Sequence, residues 1–291
     1  MARIAIIGVG AIGGAIAGLL ESAGGHEITL CTRRPIERLT VTMPSGMVRV
    51  QARNITAPEK AEPVEWVIVA TKAYDSEAAA SWFSSLCSGG AAVAVVQNGV
   101  EHRERFAPYI EQARLLPVVI DCPVERSGDG EVRVRGAALI RVEDTPLGRG
   151  FAALVAGSSV KMDLVPDFIT AAWWKLCLNS VGALNALTLQ PAGLLRDEDM
   201  GRLAMEMVAE CVAVGRAEGA ELSDALGEQV LAHYRAQPPD AVNSLLADRL
   251  AGRRMEIDAR NGAIVRKGEK HGIPTPLNRM AVTLLNAQRR Q

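Results

Sequence analysis

The sequence predicts an α/β N-terminal half built on parallel strands, followed by an all-α C-terminal half. Three observations predict it. A glycine-rich turn near the N-terminus lies between a short apolar run and a small-residue helix. Short apolar runs of strand length then recur along the first half of the chain. After about residue 165 those runs stop, and only longer segments with helical spacing remain.

Residues 3–7 (RIAII) read as a buried strand, 11–23 as a helix rich in Gly and Ala, and 26–32 (HEITLCT) as a second strand. Strand, glycine turn, helix and strand make the βαβ unit of a parallel sheet. Further strands are expected at 65–71 (EWVIVAT), 91–97 (AAVAVVQ) and 114–120 (RLLPVVI). Around 131–142 the pattern changes to period two about a glycine, which predicts an antiparallel extension. Helices are expected at 167–189, 198–219, 226–235, 244–250 and 256–271, closed by Pro274 and Pro276. The domain division then reads as 1–165 and 166–291, with no linker or repeat.

A chain of 291 residues has room for about two domains, each with its own core. A net charge of −1, with basic residues spread along the chain, supplies no field to draw it to nucleic acid or an anionic membrane. The five cysteines form no CxxC pair or metal-ligand spacing, and the four histidines are as scattered. Dispersed thiols fit a reducing compartment, and no metal site is expected. Arg3 followed by an apolar run superficially resembles a secretory signal. Glycines at 8, 10, 13 and 14 would weaken such a helix, so the segment reads as strand and turn and the protein as cytoplasmic.

Gly8-Val9-Gly10-Ala11-Ile12-Gly13 is GxGxxG between a strand and a helix, the dinucleotide fingerprint of a Rossmann domain. The first glycine permits the turn, the second admits a pyrophosphate, and the third lets helix and strand approach. The phosphates would rest against the first turn at Ala11 and Ile12, where free N–H groups favour anions. Twenty residues past Gly13, where an NAD site places Asp or Glu, stands Arg33, between Thr32 and Arg34. Guanidinium there pairs with a 2′-phosphate, which points to NADP(H); the plainer reading is a pair of solvated surface arginines. Lys72 and Asn98 each follow the end of an apolar strand, where such sheets bind ligands. Each alone is equally compatible with a loop residue or a helix cap.

In the helical half, Lys175 and Asn179 are four apart and share one face of an apolar helix. An ammonium on such a face is either paired, lowered in pKa and suited to proton donation, or snorkelling to solvent.

These segments taken together resemble the ketopantoate reductases. The resemblance rests on GxGxxG, Thr71-Lys72-Ala73, Gln97-Asn98-Gly99, Trp174-Lys175-Leu176 with Asn179, Glu256-Ile257-Asp258 with Asn261-Gly262, and His271-Gly272-Ile273-Pro274-Thr275-Pro276. It covers essentially the whole chain in order, and implies a C-terminal helical domain of the 6-phosphogluconate-dehydrogenase type. The implied reaction is reduction of 2-dehydropantoate to pantoate by NADPH, towards pantothenate and coenzyme A. Lys175 would protonate the ketone oxygen and Glu256 would hydrogen-bond the developing hydroxyl. Asn98 and Lys72 would line the nicotinamide and substrate, and Asn179 and Ser244 would bind the substrate's polar groups. An ionised Glu256 would repel a substrate carboxylate, directing it towards Ser244, Asn179 or a backbone donor.

One position departs from the family. An asparagine is usual one turn beyond Asn179, where this chain has Ala183; the nearest asparagine is Asn185. On a straight helix Asn185 lies about 80° off the Lys175 face, and a kink at Gly182 would be needed to restore it. The same chemistry on another 2-oxo acid or imine is therefore the second reading, and an NADP(H) sensor without turnover the third. The small-molecule substrate is the partner expected, and the apolar helical half is compatible with a homodimer.

Overall fold

The computed structural model describes residues 1–288. The chain gathers into two compact units. One comprises Met1–Gln97 and His102–Phe168; the other comprises Asn98–Glu101 and the chain from Ile169 onward.

The first unit is organised by a six-stranded sheet in which every pairing is parallel, ordered β5-β2-β1-β6-β7-β8. Its strands are β1 (Arg3–Ile7), β2 (Glu27–Cys31), β5 (Ala52–Ile55), β6 (Trp66–Val69), β7 (Ala92–Val95) and β8 (Leu115–Pro117). Side chains alternate across it, as the two-residue period requires. Ile4, Ile6, Leu30 and Ile68 enter one apolar cluster, while Ala5, Ile7, Cys31, Val67 and Val69 enter another. Burial on both faces explains why these strands read as unbroken apolar runs.

Helix α1 (Ala11–Ala23) covers one face. Against it packs a second sheet, β10-β11-β3-β4, formed by β3 (Leu39–Met43), β4 (Gly46–Val50), β10 (Val124–Gly128) and β11 (Glu131–Val134). A Cβ at Gly14 would stand 2.6 Å from Val132, and one at Gly18 2.8 Å from Val41. The glycine stripe of α1 is thus the floor on which this second sheet rests. Helices α2 (Ser76–Ala80), α3 (Phe83–Leu86) and α4 (His102–Phe106) complete the other face, where Phe83 and Phe106 are buried.

Two expected strands divide. The stretch 114–120 continues from β8 into β9 (Val119–Asp121), and the stretch 131–142 contributes β11 and then β12 (Leu139–Glu143). β12 pairs antiparallel with β9 and parallel with β13 (Lys161–Val165) in a separate three-stranded sheet. Both strands of 131–142 take an antiparallel partner, β11 pairing with β10 and β12 with β9, but they do not pair with each other about Gly136. Helix α5 (Pro146–Leu154) starts at Thr145, whose hydroxyl accepts from Gly148 N at 3.1 Å.

The second unit is helical: α6 (Phe168–Ser180), α7 (Gly182–Thr188), α8 (Glu198–Ala217), α9 (Leu226–Ala236), α10 (Ser244–Leu250), α11 (Ala263–His271) and α12 (Pro276–Ala287). Its core includes Leu176, Cys177, Leu184, Met207, Cys211, Val230 and Ile264. The long helix α8 begins with Asp197, which accepts from Met200 N, followed by Glu198 and Asp199 in its first turn. That is a capped start with favourable charge at the dipole's positive end. The single helix expected over 167–189 is broken at Val181, between α6 and α7. The helix expected over 256–271 opens as a π turn, Asp258–Gly262, in which Gly262 N donates to Ile257 O. Glu256 therefore precedes the turn and does not lie in its first winding. Among the described residues no helix is long and apolar enough to cross a membrane, and no cluster of metal-ligating side chains is present.

Candidate active site

In the first unit, parallel strands bring Gly8, Arg33 and Lys72 to one edge, just beyond the carboxyl ends of β1, β2 and β6. Gly8 adopts φ +91°, a left-handed conformation that favours glycine, and a Cβ there would stand 2.8 Å from Thr71 N. A Cβ at Gly13 would collide with Gly8 O, so helix and turn touch backbone to backbone. A Cβ at Gly10 would meet nothing within 4 Å. The turn is therefore closed beneath and open above, at the N-terminus of a 13-residue helix with no acid in its first turn. Free N–H groups and an uncompensated dipole end suit a diphosphate.

The segment after β2 is held by Asn54. Its carboxamide donates to Leu30 O and to Thr32 Oγ1 at 2.9 Å and accepts from Ile36 N. Arg33 and Arg34 are exposed, and neither guanidinium is paired with another described residue. A rigid backbone carrying two available guanidinium groups fits a phosphate on the adenosine ribose.

Gln97, buried at the end of β7, ties these strand ends together. Its amide donates to Thr71 Oγ1 at 3.1 Å and accepts from Ser76 Oγ. Its carbonyl is 2.7 Å from Nε2 of His102. Burial drives the His102 pKa down to about 4, against the opposing hydrogen bond to Gln97, so the ring is neutral and donates through Nε2. Between Gln97 and His102 the chain supplies residues 98–101 to the second unit.

There the segment is fastened three times to the region around the π turn. Asn98 Nδ2 donates to Glu256 Oε2 at 3.0 Å. Gly99, at φ +104°, passes so close to Ala259 O that no Cβ would fit. Glu101 accepts two hydrogen bonds from Arg266, at 3.0 and 2.7 Å, and Arg266 also holds Asp258 at 2.6 Å. These contacts raise the Arg266 pKa above its ordinary value.

Helix α6 adds the next group. Buried Ala172, Trp173, Leu176, Cys177, Leu178 and Ser180 occupy most of its circumference, and Lys175 and Asn179, one turn apart, share a half-buried face between them. Asn179 Nδ2 donates to Asn98 Oδ1 at 3.3 Å. Asn179, Asn98 and Glu256 thus form one hydrogen-bonded line ending on a carboxylate that is 4% exposed.

Ser244, the remaining expected substrate residue, is exposed at the start of α10 and accepts from Arg260 Nη2 at 2.7 Å, outside that line. Asn243 precedes it and caps α10 by accepting from the N–H groups of Leu245 and Leu246. Asn185 Oδ1 accepts from Asn243 Nδ2 at 3.0 Å, while its own amide donates to Gln190 O and Pro191 O. The helix is interrupted at Val181, before Gly182, and the Asn185 side chain is fully buried in this scaffold. It supports Ser244 indirectly through Asn243 and does not restore the group absent at Ala183.

Sequence reasoning missed Gln97, the Glu101–Arg266 pair and Arg260. The ion pair spans 165 positions and leaves no local signal. Arg260 left one: it falls three residues after Ile257 and four before Ile264, on a face whose spacing calls for apolar residues.

A parallel sheet with a glycine cradle, joined in one chain to a helical unit bearing a lysine–asparagine–glutamate array, defines a nicotinamide-dependent oxidoreductase. Comparison with known proteins names the kind. Residues 4–146 match the family described as Ketopantoate reductase PanE/ApbA, and residues 167–289 match its C-terminal counterpart. A 2-dehydropantoate 2-reductase of Caulobacter vibrioides is 50% identical over 287 residues, covering 99% of each chain. One from Mycobacterium tuberculosis is 39% identical over 286 residues, covering 98% of this chain and 97% of that one. The crystal structure of a PanE/ApbA family ketopantoate reductase from Ralstonia eutropha JMP134 superposes with a TM-score of 0.90 at 31% identity, over 99% of this chain and 100% of that one. The chain belongs to the ketopantoate reductase family.

Proposed function

We propose that the protein reduces 2-dehydropantoate (ketopantoate) to pantoate with NADPH, a cytoplasmic step towards pantothenate and coenzyme A. The observation that carries this reading is the line Asn179–Asn98–Glu256 beside Lys175, in a chain 50% identical to a 2-dehydropantoate 2-reductase.

Gly8, Gly10, Ala11, Ile12 and Gly13 would hold the pyrophosphate, Arg33 the 2′-phosphate, and Lys72 and Asn98 the nicotinamide end. NADPH supplies the hydride when bound. Lys175 Nζ gives a proton to the ketone oxygen, and its charge stabilises the oxyanion that develops there. Glu256 accepts a hydrogen bond from the new hydroxyl. Asn98, held by Glu256 and Asn179, is fixed in orientation before substrate arrives, which reduces the entropy lost on reaching a reactive geometry. Asn179 and Ser244 bind the substrate's polar groups. Residues 1–165 act as the NADP-binding domain and 166–291 as the substrate domain. A homodimer is part of this proposal; exposed apolar side chains occur in both units, Met47, Tyr109 and Leu164 in the first and Ile169, Leu189, Val242, Leu250, Met280 and Leu284 in the helical one.

One observation favours a second reading, reduction of another 2-oxo acid. Asn185 is engaged in supporting Asn243, so nothing replaces the polar group absent at Ala183. Following loss of NADPH absorbance across a panel of 2-oxo acids decides. Highest kcat/KM on ketopantoate is expected; preference for another acid supports the second reading, and no oxidation at all supports the sensor.

A further inference from the structure

Arg260 is the third residue of the π turn and is only 3% exposed. Its Nη2 donates to Ser244 Oγ at 2.7 Å, and its Nε is buried with no partner. No carboxylate among the described residues pairs with this guanidinium. A buried cation without a counter-ion destabilises a fold, and an apolar residue at such a position would pack at lower cost. π turns interrupt helices and recur at functional sites. A buried guanidinium whose one partner is a neutral hydroxyl is suited to receive an anion.

We propose that Arg260, with the Ser244 hydroxyl, binds the carboxylate of the 2-oxo acid. The inference rests on the function proposed above and assigns that substrate's charged end. Guanidinium matches a planar carboxylate with paired donors, and the exposed Ser244 hydroxyl adds a third. Glu256, four residues earlier, carries the opposite charge and is held by Asn98. The site has an anionic pole that rejects the carboxylate and a cationic pole that receives it. A single orientation results, with carboxylate on Arg260, ketone towards Lys175 and hydroxyl towards Glu256.

The test compares Arg260→Met and Arg260→Lys with the unchanged protein. Reduction of ketopantoate and of its uncharged methyl ester is measured in each. Calorimetry then reads the binding of oxamate, a carboxylate that hydride does not reduce, to each NADPH complex. Arg260→Met should lower kcat/KM for the acid roughly tenfold to a hundredfold, mainly through KM, and weaken oxamate by a similar factor. The ester should be little changed, Arg260→Lys should fall in between, and the melting temperature of the ligand-free Met variant should not drop. Equal loss on acid and ester, a lowered melting temperature with unchanged oxamate affinity, or unchanged kinetics on the acid overturns the assignment. If the unchanged protein fails to reduce ketopantoate, the proposed function falls and oxamate alone judges Arg260. Weakened oxamate in Arg260→Met then supports the site, and equal or absent oxamate binding in both proteins overturns it.

Discussion

In the N-terminal unit, residues 8–13 form a binding surface through side chains they lack. Gly8 and Gly13 bring backbone against backbone where a single methyl would not fit. In the helical unit the reverse holds. Side chains separated by 81 and 158 positions in sequence join end to end, from Asn179 through Asn98 to Glu256. A cradle of backbone N–H groups suits phosphate, which needs several donors at fixed positions and presents the same oxygens in every dinucleotide. A ketone being reduced needs a proton source and a charge partner, which the lysine and glutamate side chains of this unit are suited to provide. The comparison teaches that one site depends on shape and the other on chemistry, so substitutions in each should fail differently.

The largest effect is expected at Lys175. Lys175→Ala should lower turnover by about two to four decades while NADPH titrates with unchanged affinity. Retained turnover would move proton delivery elsewhere, with Lys72 the next candidate. Next comes a contrast inside the glycine turn. Gly13→Ala forces a methyl into Gly8 O and should destabilise the unit by about 1–3 kcal/mol or more, visible as a lowered melting temperature. Gly10→Ala meets no atom within 4 Å, so it should leave the melting temperature alone and weaken NADPH only. Equal melting temperatures for both variants would break the argument that the turn is closed beneath and open above. The smallest effect is expected at Arg33, where Arg33→Asp should weaken NADPH by roughly tenfold or more and spare NADH. Equal affinity of the unchanged protein for the two cofactors would contradict the role given to that guanidinium.

The same contrast explains what can be read in advance. Residues 3–31 are legible because a strand buried on both faces and a helix packed through glycine both write themselves into contiguous sequence. Strands β3, β4 and β5 are not, since half-exposed segments such as GMVRV and ARNI lack an apolar run. The stretch 131–142 looks continuous because its period survives the change of sheet between β11 and β12. On α6, the shared face of Lys175 and Asn179 is legible from their helical spacing, while the roles proposed for them come from resemblance. The roles of Glu256 and Ser244 come from resemblance, because distant contacts and a π turn leave no period to detect. Arg260 escapes notice because a basic residue in a helix is usually a solvated one.

The most direct measurement crosses the two units. NADPH affinity and turnover at saturating NADPH are determined for Arg33→Asp, Lys175→Ala and the double variant. Affinity should move only with Arg33 and turnover only with Lys175, and each change should keep its size in the double variant, to within about 0.3–0.5 kcal/mol. If either single variant moves both quantities, or if the double variant departs from the sum, cofactor recognition at Arg33 and reaction chemistry at Lys175 are not separate, and the account is contradicted.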